Sequence, residues 1–225
     1  MSNQLYKMIQ EGEHLHQDFK YCVNDSKKIA KSLVAFANTD GGRLLLGVKD
    51  NGKIAGVRTD EEFYMIESAA TIYSKPAIKF STRQWLAEGK TVLAIQVEPS
   101  EKKPHYAKDE NGKWIAYLRV NDENCVAHKI QVNVWKNSRT SLHFTLSEIE
   151  KTLISYLSEN HSVTLSKFIR LAHISRAKGE EILTNLATLN IVTINTTNDG
   201  TTFSLNKTYF EKTGDLKQSG ALTKL

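Results

Sequence analysis

Glu13 to Asp50 reads EHLHQDFKYCVNDSKKIAKSLVAFANTDGGRLLLGVKD. Its layout is strand, helix, glycine turn, strand. His14 to Tyr21 alternates: Leu15, Gln17, Phe19 and Tyr21 share one face, and His14, His16, Asp18 and Lys20 share the other. Asp25 and Ser26 are capping residues for the helix that follows, where Ile29, Leu33, Val34 and Phe36 keep helical spacing. Gly41-Gly42 predicts the helix end, because glycine takes the left-handed C-terminal conformation without a Cβ penalty. Leu44-Leu45-Leu46-Gly47-Val48 is a short unbroken apolar run, the pattern of a strand covered on both faces.

Moving outward, Glu62 to Tyr73 is a short amphipathic helix through Phe63, Ile66, Ala69 and Ala70, and Pro76 blocks its continuation. Ala77 to Leu86 and Thr91 to Val97 predict a hairpin around Glu88-Gly89-Lys90. His105 to Lys108 and Lys113 to Val120 predict a second hairpin about Asn111-Gly112, a type I′ turn signal. Asn124 to Asn137 reads as a helix closing the domain. The β-rich middle implies an α+β fold with a mixed sheet over residues 1–140.

Ser138-Arg139-Thr140-Ser141 is a polar break, after which the pattern restarts. Ser147 to Glu159, Leu165 to Ala172 and a third segment capped by Ser175 and running to about Asn190 predict three helices. Ile191 to Ile194 and Thr202 to Leu205 then flank Asn195 to Gly200 as a hairpin. This order over residues 145–206 resembles a winged helix-turn-helix domain. Lys207 to Leu225 reads as a polar tail.

The composition is that of a soluble globular chain: 225 residues, 40% hydrophobic and 24% charged. No apolar run approaches membrane-spanning length, so no membrane association is expected. The first residues, MSNQLYKMIQEGEH, lack a signal-peptide core, and a cytoplasmic location is expected. Cys22 and Cys125 make neither a disulfide framework nor a Cys-rich zinc site. A net charge of +5 suits a polyanion partner. Residues 145–225 hold nine Lys and Arg against eight Asp and Glu, so the basic surplus lies in the N-terminal part. A homo-oligomer is compatible with the sequence.

Three blocks of the opening stretch resemble the Schlafen-type AlbA-like domain, once described as a divergent ATPase domain. They are Glu13 with Asp18-Phe19-Lys20, then Ala35-Phe36-Ala37-Asn38-Thr39 with Gly41-Gly42, then Gly47-Val48-Lys49-Asp50. Lys53 to Val57, and Pro104 with Tyr117-Leu118-Arg119, match more loosely. In the nuclease members three acids bind a divalent metal and cut RNA, and the resemblance maps them onto Glu13, Asp18 and Asp50. Mg²⁺ or Mn²⁺ is the cofactor this implies, with Lys20 completing a candidate catalytic set. Asp18 stands where the family has Glu, one methylene shorter. Asn121 to Asn124 stands where the family often has glycine after Tyr-x-Arg.

The residues themselves leave two readings of the acids open. Three converging carboxylates need a cation, and a hard divalent ion with retained waters can activate a nucleophile against a phosphodiester. The same acids can instead pair with Lys20, Arg43 or Arg119. The five-residue spacing of Glu13 and Asp18 puts them on opposite faces of a regular strand, so convergence requires Glu13 to precede the strand or sit at a bend, where Gly12 supplies flexibility. His14 and His16 share the Asp18 face but lack a third histidine nearby. No GxxxxGK[ST] pattern is present, and ATP is not expected.

For nucleic acid, Arg43 and Arg119 are candidate contacts within a basic set that includes Lys20, Lys27, Lys28, Lys31, Lys102 and Lys103. In the C-terminal part Arg176 and Lys178 open the third helix, where base contacts are made, with Thr184, Asn185 and Thr188 as further polar candidates. The leading expectation is a nucleic-acid-binding protein, a DNA-binding transcriptional regulator. The alternative is a metal-dependent endoribonuclease, and the partner is DNA or RNA.

Overall fold

In the computed structural model, which describes residues 2–57, 61–138 and 145–208, the Glu13–Asp50 stretch folds as strand, helix, strand. Helix α1 (Ser2–Glu11) precedes β1 (Gln17–Lys20), α2 (Ser26–Asn38) and β2 (Gly42–Leu46). β1 and β2 pair in parallel, from Gln17 opposite Arg43 to Lys20 opposite Leu46. The Asp25 carboxylate caps α2 by accepting the Lys27 N–H at 2.8 Å. At the other end the two glycines do different work. Gly41 turns the chain at φ +77 and donates its N–H to Phe36 O at 3.0 Å. Gly42 already belongs to β2; a Cβ there would stand 2.4 Å from the Phe36 ring, so it supplies space for the helix to lie on the strand.

Helix α3 (Glu61–Thr71) and β3 (Ser74–Lys75) lead to the hairpin of β4 (Ser81–Ala87) and β5 (Lys90–Val97), closed by Glu88 and Gly89, both at positive φ. The resulting mixed sheet runs β1-β2-β5-β4. One face packs Leu44, Leu46, Leu93, Ile95 and Val97 against Leu33, Val34 and Phe36 of α2 and Ile66, Ala69 and Ala70 of α3. The other packs Phe19, Leu45, Trp85 and Val92 against Leu5 and Met8 of α1. The Leu44–Leu46 run is therefore covered from both sides, as its unbroken apolar pattern implies. Phe63, expected inward on α3, is 39% exposed.

The next segment departs from expectation. β6 (Tyr106–Lys108) pairs with β7 (Trp114–Ile115), which stops before Ala116, and the chain continues as β8 (Tyr117–Val120) paired with β9 (Glu123–Val126). The expected strand from Lys113 to Val120 is thus two strands in two sheets. Lys108 pairs with Trp114, so the first loop holds residues 109–113, and only Gly112 of Asn111-Gly112 has positive φ. A type I′ turn needs both, and this is not one. Residues 124–126, expected to begin a helix, belong to β9.

The chain divides into two compact units between Ala127 and His128. Helix α4 (Lys129–Asn137) lies in the second unit, not in the first as the expected boundary at residue 140 had it. The reason is packing: Ile130 is fully buried in the core that holds Leu183 and Phe203. The expected linker after Ser138 and most of the expected tail lie outside the described residues. The second unit continues with α5 (Glu148–Glu159), α6 (Leu165–Ala172), α7 (Arg176–Thr188), β10 (Val192–Thr197) and β11 (Gly200–Leu205). Ser147 and Glu150 form a capping box at α5. β10 and β11 form an antiparallel hairpin, and Val163 bridges to Phe203. Among the described residues no helix is long and apolar enough to cross a membrane.

Candidate functional site

Asp18 sits on edge strand β1, 3% exposed, and its charge is met by Lys20 of the same strand and by groups from two other elements. Oδ1 accepts from Lys20 Nζ at 2.9 Å, and Oδ2 accepts from the Ser32 hydroxyl of α2 at 2.8 Å. The Arg119 guanidinium of β8 lies 3.8 Å from Oδ1. Arg119 is itself enclosed at 3% exposure, donating to Gln17 O at 2.9 Å and to Asn124 Oδ1 at 3.0 Å. Asn124 Nδ2 donates to Ser32 Oγ at 3.0 Å, which closes the ring of contacts.

Glu13 joins this cluster because it lies at a bend before β1, just ahead of a turn closed by mutual His14 and Gln17 backbone bonds. Its Oε1 accepts the Phe19 N–H at 2.9 Å, and its carboxyl shares a hydrogen bond with Asp18. Burial and the neighbouring Asp18 push the Glu13 carboxyl up. Burial also opposes ionisation of Asp18, but the hydrogen bond from Glu13 and the Lys20 ammonium outweigh it and hold Asp18 below the usual carboxylate range. The two neighbouring carboxyls are thus shifted in opposite directions.

Asp50 is exposed in the turn beyond β2. Glu13, Asp18 and Lys20 are brought together; Asp50 is not brought to them as a third acid. Among the described residues no group of three His, Cys, Asp or Glu is placed to hold a metal ion. Arg43 lies at a different point, bound to Glu11 and to the fully buried Gln17. Arg43 and Glu11 border a surface cleft of about 360 Å³ that is also lined by His14, His16, Asp40, Gly42 and Gln96. Within it, His14 Nδ1 accepts the His16 N–H at 3.2 Å, and His16 Nδ1 lies 3.2 Å from Gly41 O.

The Asn38-Thr39 pair positions Arg119. Asn38 Nδ2 donates to His105 O and Tyr117 O, each at 2.8 Å, and its Oδ1 accepts the His105 N–H at 2.7 Å. Thr39 Oγ1 accepts the Arg119 N–H at 2.9 Å. The end of α2 therefore fastens β8 against β1. Sequence reasoning missed Gln17, Ser32 and Asn124 as members of the site. Ser32 carried a signal, a polar residue among the apolar positions of α2; Asn124 carried another, a side chain where the family often has glycine.

In the second unit Arg176 and Lys178 are exposed at the start of α7. Arg176 pairs with Glu180 at 3.1 Å and Lys178 with Glu181 at 3.1 Å. Glu180 also receives Lys129 of α4 at 2.6 Å; the hydrogen bond from Lys129 lowers its carboxyl against burial, and Arg176 adds to this. Thr184 is buried at 4% and donates to Glu180 O, so it faces α7 itself and not a groove.

A family model described as Schlafen, AlbA_2 matches residues 13–127. Among solved structures, the chain is similar to the N-terminal domain of a RecG-related protein from Nitrosomonas europaea, 24% identical with a TM-score of 0.40, covering 55% of this chain and 94% of that one. It is also similar to the DIP2311 protein from Corynebacterium diphtheriae, 15% identical with a TM-score of 0.44, covering 70% of this chain but only 38% of that one. No curated protein matches. The matched span holds every residue of the Asp18 cluster, and the chain belongs to the Schlafen, AlbA_2 family.

Proposed function

We propose that the chain is a cytoplasmic nucleic-acid-binding protein, a DNA-binding transcriptional regulator in which the AlbA-like unit is followed by a winged helix-turn-helix. The carrying observation is that both oxygens of Asp18 are engaged by the protein's own Lys20 and Ser32. The acids are satisfied from within, which suits a binding surface that needs no cation to hold its shape. For the second unit, support comes from the order α5, the Val163 bridge, α6, α7 and the β10–β11 hairpin. Exposed Arg176 and Lys178 would exchange their glutamate partners for phosphates. The test is duplex DNA binding by fluorescence anisotropy across a salt series. Replacing both residues by Ala should reduce the salt slope by about two, about one for each lost phosphate contact. An unchanged slope would remove α7 from the interface.

A second reading, a metal-dependent endoribonuclease, is favoured by one observation. The pKa of the Glu13 carboxyl is pushed up and that of Asp18 is held down beside Lys20, the directions a general acid and its charged neighbour need. Glu13 and Asp18 would hold Mg²⁺ or Mn²⁺ there, with Asp50 supplying a third carboxylate only from outside the present cluster. Metal-dependent cleavage of structured RNA by wild type, lost in Asp50→Asn, would establish this reading over binding alone. In the binding reading, Asp50→Asn leaves affinity intact or raises it, since it removes a negative charge near phosphates.

A further inference from the structure

The two edges of the mixed sheet are finished differently. On β1 the outward backbone groups are taken up by the protein's own side chains. Glu13 Oε1 accepts the Phe19 N–H at 2.9 Å, Lys20 Nζ donates to Phe19 O at 2.7 Å, and Arg119 donates to Gln17 O at 2.9 Å. Among the described residues no strand pairs with the outer edge of β4, and Ser81 to Gln84 and Leu86 are exposed there. β4 has no proline, no bulge in its register with β5 and a single charge, Arg83, so it lacks the usual protections of a free edge. Leu86 is 74% exposed. Glu88-Gly89 is a two-residue loop with both residues at positive φ, so Ala87 and Lys90 close the hairpin as a hydrogen-bonded pair. By alternation Arg83 and Trp85 also bond to β5, while Thr82, Gln84 and Leu86 turn their N–H and C=O groups outward.

We propose that a second copy of this chain pairs on that edge, β4 against β4, antiparallel about a two-fold axis at Gln84. The strand complements itself in this register. Thr82 falls opposite Leu86 of the partner subunit, Gln84 opposite Gln84 of the partner subunit, and Leu86 opposite Thr82 of the partner subunit. These are the residues whose backbone groups face outward, so each pair exchanges both of its hydrogen bonds. On the other face Arg83 falls opposite Trp85 of the partner subunit, a cation beside an aromatic ring. Each guanidinium also lies 4.1 Å from the ring centre of its own Trp85, so arginine and tryptophan alternate across the junction. Gln84 is the middle residue of β4, and an axis there pairs the strand over its full length. An axis at Arg83 would set two guanidinium groups opposite each other. The product is one sheet running through both copies, with β1 at each end. Because side chains close β1, assembly stops at the dimer.

The test is sedimentation velocity of the full chain over a concentration series, with circular dichroism to check folding. Wild type should pass from monomer to dimer and no further. Gln84→Pro removes an N–H that β5 does not use, so it should abolish the dimer and keep the fold. Gln84→Lys and Gln84→Glu each set like charges on the axis and should raise the dimer dissociation constant by up to about fivefold. An equimolar mixture of these two should dimerise at least as tightly as wild type, because opposite charges then meet. Recovery by the mixture requires residue 84 to face residue 84, and it decides the matter even if Gln84→Pro fails to fold. Wild type that stays monomeric at every concentration overturns the proposal and leaves the edge to an extended segment of another protein. A dimer unchanged in the charged variants, with no gain on mixing, places the interface elsewhere and overturns it equally.

Discussion

Asn38 shows how a single amide can organise a site it does not enter. It is 2% exposed and makes three hydrogen bonds to backbone groups of His105 and Tyr117. Asn38→Ala leaves those groups buried without partners, and the expected loss is about 3 kcal/mol, measured by urea denaturation. His105 follows from the same segment. Its Nδ1 lies 2.9 Å from Pro76 O, an acceptor only, so Nδ1 carries the proton, and Nε2 accepts from the Ser100 hydroxyl at 2.7 Å. Burial pushes its pKa below the ordinary 6.5. The unfolded chain then binds the proton more readily than the folded one. The contribution of His105 is therefore whole above pH 6.5 and is lost as pH falls below it. Thermal unfolding scans from pH 7.5 to about 5 should show a falling midpoint, and His105→Gln, with no ring to titrate, should flatten that fall.

Elements meet here through small residues and shared charges. α2 can lie on β2 because Gly42 presents no Cβ to Phe36. Gly42→Ala should cost about 1–3 kcal/mol by overpacking, read as a lowered denaturation midpoint with an unchanged slope. In the second unit, α4 packs along α7, where Lys129 and Arg176 hold Glu180 between them. With Glu180 and Thr184 buried, the exposed start and flank of α7 are Arg176, Ala177, Lys178 and Glu181. Its accessible charge is near balance, which narrows any contact with phosphate to the helix N-terminus.

At the scale of the whole molecule, the first unit owns a sheet covered on both faces within residues 1–127. A fragment of residues 1–127 should therefore unfold in one cooperative transition, followed by circular dichroism in urea. A fragment with no cooperative transition would show that the first unit depends on the second. Cutting at residue 140 instead would carry α4 away from its core and expose Ile130, so that longer fragment should aggregate more readily than the shorter one.

Local order was legible over much of the chain. The periodicity of Glu13–Asp50 specified strand, helix and strand, and Asp25, Ser147 and Ser175 marked helix starts that the structure keeps. The β4–β5 hairpin and the three helices before the β10–β11 hairpin were equally legible, because side-chain spacing records which face an element buries. The break at Ala116 was not, since Tyr117 to Val120 reads as strand whichever partner it takes, and β9 claims it. Nor was the allegiance of α4, whose apolar face could serve either neighbour until Ile130 found its core. The site shows the limit most clearly. Glu13 and Asp18 could be named from the chain alone, but which of the protein's own cations meet Asp18 depends on residues distant in sequence. Arg119 reaches Asp18 because Asn38 and Thr39 fasten β8 beside β1, and Asp50 is carried beyond β2 into solvent. Charge compensation is a property of assembled neighbours, and only the tertiary structure assembles them.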